Sequence, residues 1–188
     1  TVIGGQPAGG KTRWLSNLIL NLAQLYDWHF AVFSPESSPE EYARLLLEQR
    51  TGQPFHVSQS RMSHPEMWEA AAWLHDHICI LLPETPTPTV DMMLELARIQ
   101  VQRFGINGVV FDPWSWFGKP VSRGQLLAHY AGEQLVAMKN FAIRYQLAFW
   151  LVAHPTKLRK AVSGEYSGLY PPPTLYDISD SSHFFNST

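Results

Sequence analysis

Residues 5–12 read Gly5-Gln6-Pro7-Ala8-Gly9-Gly10-Lys11-Thr12, the spacing Gly-x4-Gly-Lys-Thr. Glycines at these positions let a backbone curl until its N–H groups converge on a phosphate chain. A helix beginning at the end of the loop would add the positive end of its dipole. A lysine at position 11 would reach the β- and γ-phosphates of ATP, and the Thr12 hydroxyl would ligate Mg²⁺. The motif has meaning only between a strand and a helix. Here the apolar Thr1-Val2-Ile3-Gly4 precedes it and the periodic Trp14-Leu15…Leu18-Ile19…Leu22 follows. The alternative, a glycine-rich turn with a chance lysine, requires every position and both flanks to agree by accident.

Three further residues stand at the ends of apolar runs. Asp112 closes Gly108-Val109-Val110-Phe111-Asp112. A strand ending in Asp downstream of a phosphate loop supplies a carboxylate to Mg²⁺, although many strands end in Asp as a turn residue. Pro113 follows, so the water-activating glutamate that many ATPases carry at that position is missing. Glu36, in Phe33-Ser34-Pro35-Glu36, is the candidate base; its other reading is an acid at a helix start, since Glu40 and Glu41 follow. His154 closes Leu151-Val152-Ala153-His154-Pro155 and could bond the γ-phosphate and report hydrolysis to the segment beyond, or be structural. The catalytic candidates are therefore Lys11, Glu36 and His154. The other seven histidines share no zinc-ligand spacing.

Positioning these residues requires alternating strands and helices. Apolar runs predict strands at Val2–Gly4, Phe30–Ser34, Ile78–Leu82, Gly108–Asp112 and Leu147–Ala153, the last apolar throughout, as in a buried parallel strand. Helical spacing covers about 11–25, Pro39–Arg50, Pro65–His77, Val90–Phe104 and 124–145. In the third helix Met67, Trp68, Ala71 and Leu74 form the apolar recurrence, and Gly105 is the stop of the fourth. Pro83–Thr89, with its three prolines, and Pro155–Thr174 are loops. The alternation predicts one α/β domain over residues 1–188, a mostly parallel central sheet flanked by helices.

Composition narrows the classes. A net charge of −2 advertises no nucleic-acid binding over the whole surface, so any such contact must be local. No apolar stretch reaches membrane-spanning length, so no membrane partner is expected. The single Cys79 excludes an internal disulfide, and its run Ile78-Cys79-Ile80-Leu81-Leu82 suggests a buried strand residue. The opening on a strand and the close at Asn186-Ser187-Thr188 read as a domain cut at both ends.

The phosphate loop, Phe-Ser-Pro-Glu36, Val-Val-Phe-Asp112-Pro113-Trp114 and Leu-Val-Ala-His154-Pro155, in this order, resemble the RecA-like ATPase core of DnaB-type replicative hexameric helicases. The likeness is nearest to the twinkle and phage primase-helicase branch. Pro172-Pro173-Thr174-Leu175-Tyr176-Asp177-Ile178-Ser179-Asp180-Ser181-Ser182-His183-Phe184 is similar to the segment before that branch's last nucleotide-sensing strand. The resemblance implies a RecA-like phosphate-loop core with ATP and Mg²⁺ as cofactors. It implies a homo-hexameric ring with ATP at subunit boundaries and single-stranded DNA in the channel. On this reading Lys157, Arg159, Lys160, Ser179 and Ser182 contact DNA, the cations serving phosphates; otherwise they are a solvated loop. The family's arginine finger would lie beyond Thr188 and its docking helix before Thr1. A cytoplasmic, bacterial or phage-encoded protein is implied ahead of a mitochondrial-matrix one. Two other readings stay open: a RecA-like recombinase or regulatory ATPase, and a nucleotide-binding accessory or loading subunit that does not hydrolyse. The Asp177–Phe184 segment favours the helicase over the first, and Glu36, Asp112 and His154 together over the second.

Overall fold

In a computed structural model of the protein, residues 1–6, 8–55, 62–120, 127–155 and 171 are described. Five strands, β1 (Val2–Gly4), β2 (Phe30–Phe33), β3 (Ile78–Ile80), β4 (Gly108–Phe111) and β5 (Ala148–Ala153), form one sheet in the order β1-β5-β4-β2-β3. Every pairing is parallel. The helices are α1 (Lys11–Tyr26), α2 (Pro39–Thr51), α3 (His64–His77), α4 (Val90–Phe104) and α5 (Leu127–Tyr145), with a short 3₁₀ turn at Trp114–Trp116.

Strand alternation divides the core between the two faces of the sheet. Ala31, Phe33, Val109, Phe111, Leu151 and Ala153 pack with residues of α4 and α5. Phe30, Val32, Val110 and Val152 pack with residues of α1, α2 and α3. Side chains of opposite parity point to opposite faces, so a sheet covered on both sides reads as continuous apolar runs. Phe111 sits at the centre of one side, edge-on to Phe33 at 6.3 Å and to Phe149 at 5.0 Å between ring centroids.

Helix starts follow local sequence rules. Ser38 and Glu41 form a reciprocal capping box ahead of α2, and Ser63 and Glu66 another ahead of α3, each with a proline in the first turn. Thr89 caps α4, and Gly105, at φ 59°, ends it with its N–H on the Val101 carbonyl.

Several expected boundaries and burials change. The predicted strands ending at Ser34, Leu82 and Asp112 stop at Phe33, Ile80 and Phe111. Pro113 has no N–H to continue the ladder beyond Asp112. The last predicted helix begins at Leu127, and residues 124–126 lie outside the described ones. On α3 the buried residues are Ala70 and Leu74, whereas Trp68 is 70% exposed. Cys79 is only half-buried, on the edge strand β3, which has a neighbouring strand on one side only. No helix among the described residues is long and apolar enough to cross a membrane.

Candidate functional site

The sheet register gathers the expected residues at one end of the molecule. Phe33 aligns with Phe111 and Phe111 with Leu151, so β5 runs two residues beyond β4 before reaching His154. Gly4 aligns with Ala153, which sets the phosphate loop beside His154. Asp112, following β4, lies between His154 and Glu36, its N–H donating to the Phe33 carbonyl at 2.9 Å. The carboxyl ends of parallel strands, where their order departs from chain order, are where such sheets take ligands.

In the loop, the Gly9 N–H donates to the Gln6 carbonyl at 3.1 Å, and a Cβ on Gly9 would lie 2.9 Å from that oxygen. Ala8 holds φ 57° and Gly10 φ 76°, left-handed conformations that turn the chain into α1. For Ala8 this conformation carries strain, which the surrounding loop must hold in place. The Lys11 Nζ donates to the Gly5 and Gln6 carbonyls, each at 2.8 Å. Burial lowers the Lys11 pKa, and the charges of Asp112 and Glu36 oppose that shift. Pro7 lies outside the described residues.

Asp112 is 2% exposed, and its Oδ1 is buried with no hydrogen-bond partner among the described residues. Burial first, then the charge of Glu36, raises its pKa; a hydrogen bond from Thr12 and the charges of His154 and Lys11 pull it down. One carboxylate therefore feels Lys11, Thr12, Glu36 and His154 together. Glu36, in the turn after β2, accepts a hydrogen bond from His154 Nε2 at 3.2 Å, while His154 Nδ1 is buried with no partner among the described residues. A cleft of about 380 Å³ opens beside Glu36, lined by residues that include Leu81, Pro83 and Trp116. No group of three or more His, Cys, Asp or Glu among the described residues could hold a metal by itself.

The chemistry fits a magnesium nucleotide. An orphaned carboxylate oxygen sits beside a threonine hydroxyl, and a glycine loop surrounds a lysine that is bonded only to its own carbonyls. A hydrated cation would supply the partner that Asp112 Oδ1 lacks among the described residues, and a phosphate chain would replace the carbonyls that Lys11 now bonds.

Comparison with known proteins bears on lineage. No protein-family model matches the sequence. Over 192 residues the chain is 34% identical to "Twinkle homolog protein, chloroplastic/mitochondrial" of Arabidopsis thaliana, covering 99% of this chain and 26% of that protein. A 101-residue stretch is 32% identical to "Replicative DNA helicase DnaB" of Nostoc sp., covering 52% of this chain and 11% of that one. By sequence the chain is similar to part of a twinkle homolog and part of a DnaB helicase, and it shares its fold with a solved ATPase domain and a DnaB-like replicative helicase. A solved ATPase domain superposes over the whole chain, and 66% of its own, at TM-score 0.74 with 14% identity. A DnaB-like replicative helicase, solved in a study of its interactions with primase, superposes over the whole chain and 46% of its own at TM-score 0.72 with 14% identity. The chain thus spans about a quarter of the twinkle homolog's length.

The structure brings Lys11, Thr12, Glu36, Asp112 and His154 together. Lys157, Arg159, Lys160, Ser179 and Ser182, expected to contact DNA, lie outside the described residues. Sequence reasoning passed over Ser16 and Tyr42, whose hydroxyls meet at 3.2 Å in the core behind the site. The one available signal was a serine on the buried face of an otherwise apolar helix.

Proposed function

We propose that this chain is the ATP-hydrolysing motor of a replicative DNA helicase, acting in a homo-hexameric ring around single-stranded DNA. The observation that carries this reading is Asp112, one buried carboxylate under the joint influence of Lys11, Thr12, Glu36 and His154. The 34% identity to a twinkle homolog supports the helicase class over other RecA-like ATPases. The cellular setting proposed is the cytoplasm of a bacterium or a phage-infected cell.

Lys11 would exchange its two loop carbonyls for phosphate oxygens, and the loop N–H groups from Gly9 onward would bind the same chain. Thr12 and Asp112 would hold Mg²⁺, which supplies charge neutralisation to the transferring phosphoryl group. Glu36 would take the proton of the attacking water. His154 now donates to Glu36; loss of that bond leaves the carboxylate free to act as base, so the imidazole can couple the state of the site to Lys157 and its neighbours beyond β5. Those cations would bind the DNA backbone.

The test is ATP turnover by the full-length protein with Mg²⁺, with and without single-stranded DNA. The reading expects Mg²⁺-dependent hydrolysis stimulated by DNA. ATP binding without hydrolysis under either condition would instead support an accessory subunit.

A further inference from the structure

Ser16 lies four residues after Thr12, so the two stand one turn apart on the same face of α1. That face otherwise buries Leu15, Ile19, Leu20 and Ala23, and Ser16 itself is fully buried. A hydroxyl in such a place is costly unless bonded. Its partner is the Tyr42 hydroxyl at 3.2 Å, and Tyr42 is 3% exposed. Tyr42 belongs to the first turn of α2, whose start is pinned by the Ser38–Glu41 box, and Glu36 stands two residues before Ser38. Thus the Ser16–Tyr42 bond ties the helix that carries Lys11 and Thr12 to the rigid helix start that follows Glu36. Lower on the same pair of helices, Gln49 Nε2 donates to the Arg13 carbonyl at 3.0 Å, a second tie to the opening turns of α1. The charge of Asp112 also acts on the Tyr42 hydroxyl, whose pKa burial drives strongly upward. With Ser16 one turn after Thr12 on α1, the bond lies behind the phosphate loop and not at a remote point of the core.

Building on the hydrolysis reading above, we propose that Tyr42 is a positioning residue: bonded to Ser16, its hydroxyl fixes where Glu36 stands relative to Thr12 and Asp112. A phenylalanine would fill the same space. What the hydroxyl adds is a directional tie that sets how α2 lies along α1. Displacing a reacting group by about 1 Å can cost on the order of 10²-fold in rate, so loosening one such tie should cost about 10-fold.

The experiment is a double-mutant cycle on single-turnover ATP hydrolysis by the full-length protein, with nucleotide affinity measured in parallel. Tyr42→Phe should slow hydrolysis by about 10-fold and leave ATP affinity unchanged. In a Glu36→Gln background the same change should cause no further loss, because the residue it positions has been removed. Ser16→Ala should reproduce the loss from the other side of the bond, which keeps the test open if Tyr42→Phe folds poorly. A slow Glu36→Gln variant beside Tyr42→Phe and Ser16→Ala at the parent rate would overturn this inference alone. Equal losses from Tyr42→Phe in both backgrounds would make the bond merely structural and also overturn it. Glu36→Gln at the parent rate would remove Glu36 from the mechanism and this inference with it.

Discussion

A carboxylate buried with one unpartnered oxygen costs folding free energy at neutral pH, and among the described residues Asp112 is such a group. Its folded pKa is raised by burial, so the folded chain holds the proton more tightly than the unfolded chain. The stability this confers is present below the unfolded value and is lost as pH rises through the raised folded value. In metal-free buffer, Asp112→Asn should therefore melt at a higher temperature than the parent near neutrality, with the gap shrinking as pH falls toward 4. Thermal melts across that range check it, and a gap that does not change with pH contradicts it. The same variant should lose Mg²⁺-dependent ATP binding, the exchange of function for stability that an active-site charge implies. His154 makes a second residue-scale case. It bonds Glu36 and leads directly into the segment carrying Lys157, so His154→Ala should reduce DNA stimulation of ATP turnover more than basal turnover. Steady-state rates with and without DNA measure this, and equal loss of both would make the residue simply catalytic or structural.

At the scale of elements, Gly108 opens β4 where the rings of Phe30 and Trp150 close over it. A Cβ there would lie 2.6 Å from Phe30 Cε1 and 2.8 Å from Trp150 Cζ3. Gly108→Ala should cost about 1–3 kcal/mol, measured as a shift in the denaturant midpoint, since neither packed ring can move freely. A midpoint unchanged within error would show that the aromatic pair yields. The stop of α4 and most strand starts were legible in the sequence because they obey local chemistry: Gly105 takes the left-handed turn that ends a helix. Strand ends were less legible, because the last ladder bond depends on the neighbouring strand. The Leu81 N–H still reaches the Val32 carbonyl at 2.7 Å, although β3 has ended and Leu82 is 63% exposed. On α3, Leu74 is buried and Met67 and Ala71 pack against the core as expected, and Trp68 alone was misplaced. Trp68 dominates any hydrophobic pattern by size, yet the close approach of α2 to α3 selects the small Ala70 for burial.

For the molecule as a whole, the sequence announced a parallel α/β sheet but not the strand order, which places β5 between β1 and β4 through pairings nearly 150 residues apart in the chain. That order makes the site, because it sets His154 between the phosphate loop and Asp112. The residues gathered at this end of the sheet were legible one by one, Lys11 and Thr12 from the glycine loop and Asp112 and His154 as the ends of apolar runs. The Ser16–Tyr42 tie was not, as only the packing of α1 on α2 brings the two hydroxyls together. Coupling to DNA is a property of the assembled protein. Replacing Lys157, Arg159 and Lys160 by Ala in the full-length protein should weaken single-stranded DNA binding and flatten its salt dependence, by about 0.7 in the log–log slope for each phosphate that is no longer neutralised. An unaltered slope would exclude the three cations from the DNA interface. The central claim, that the strand-end site hydrolyses ATP with Glu36 as base, is tested most directly by single-turnover hydrolysis with Glu36→Gln. The expected result is ATP bound as tightly as by the parent and cleaved about 10²–10⁴-fold more slowly; cleavage at the parent rate would contradict it.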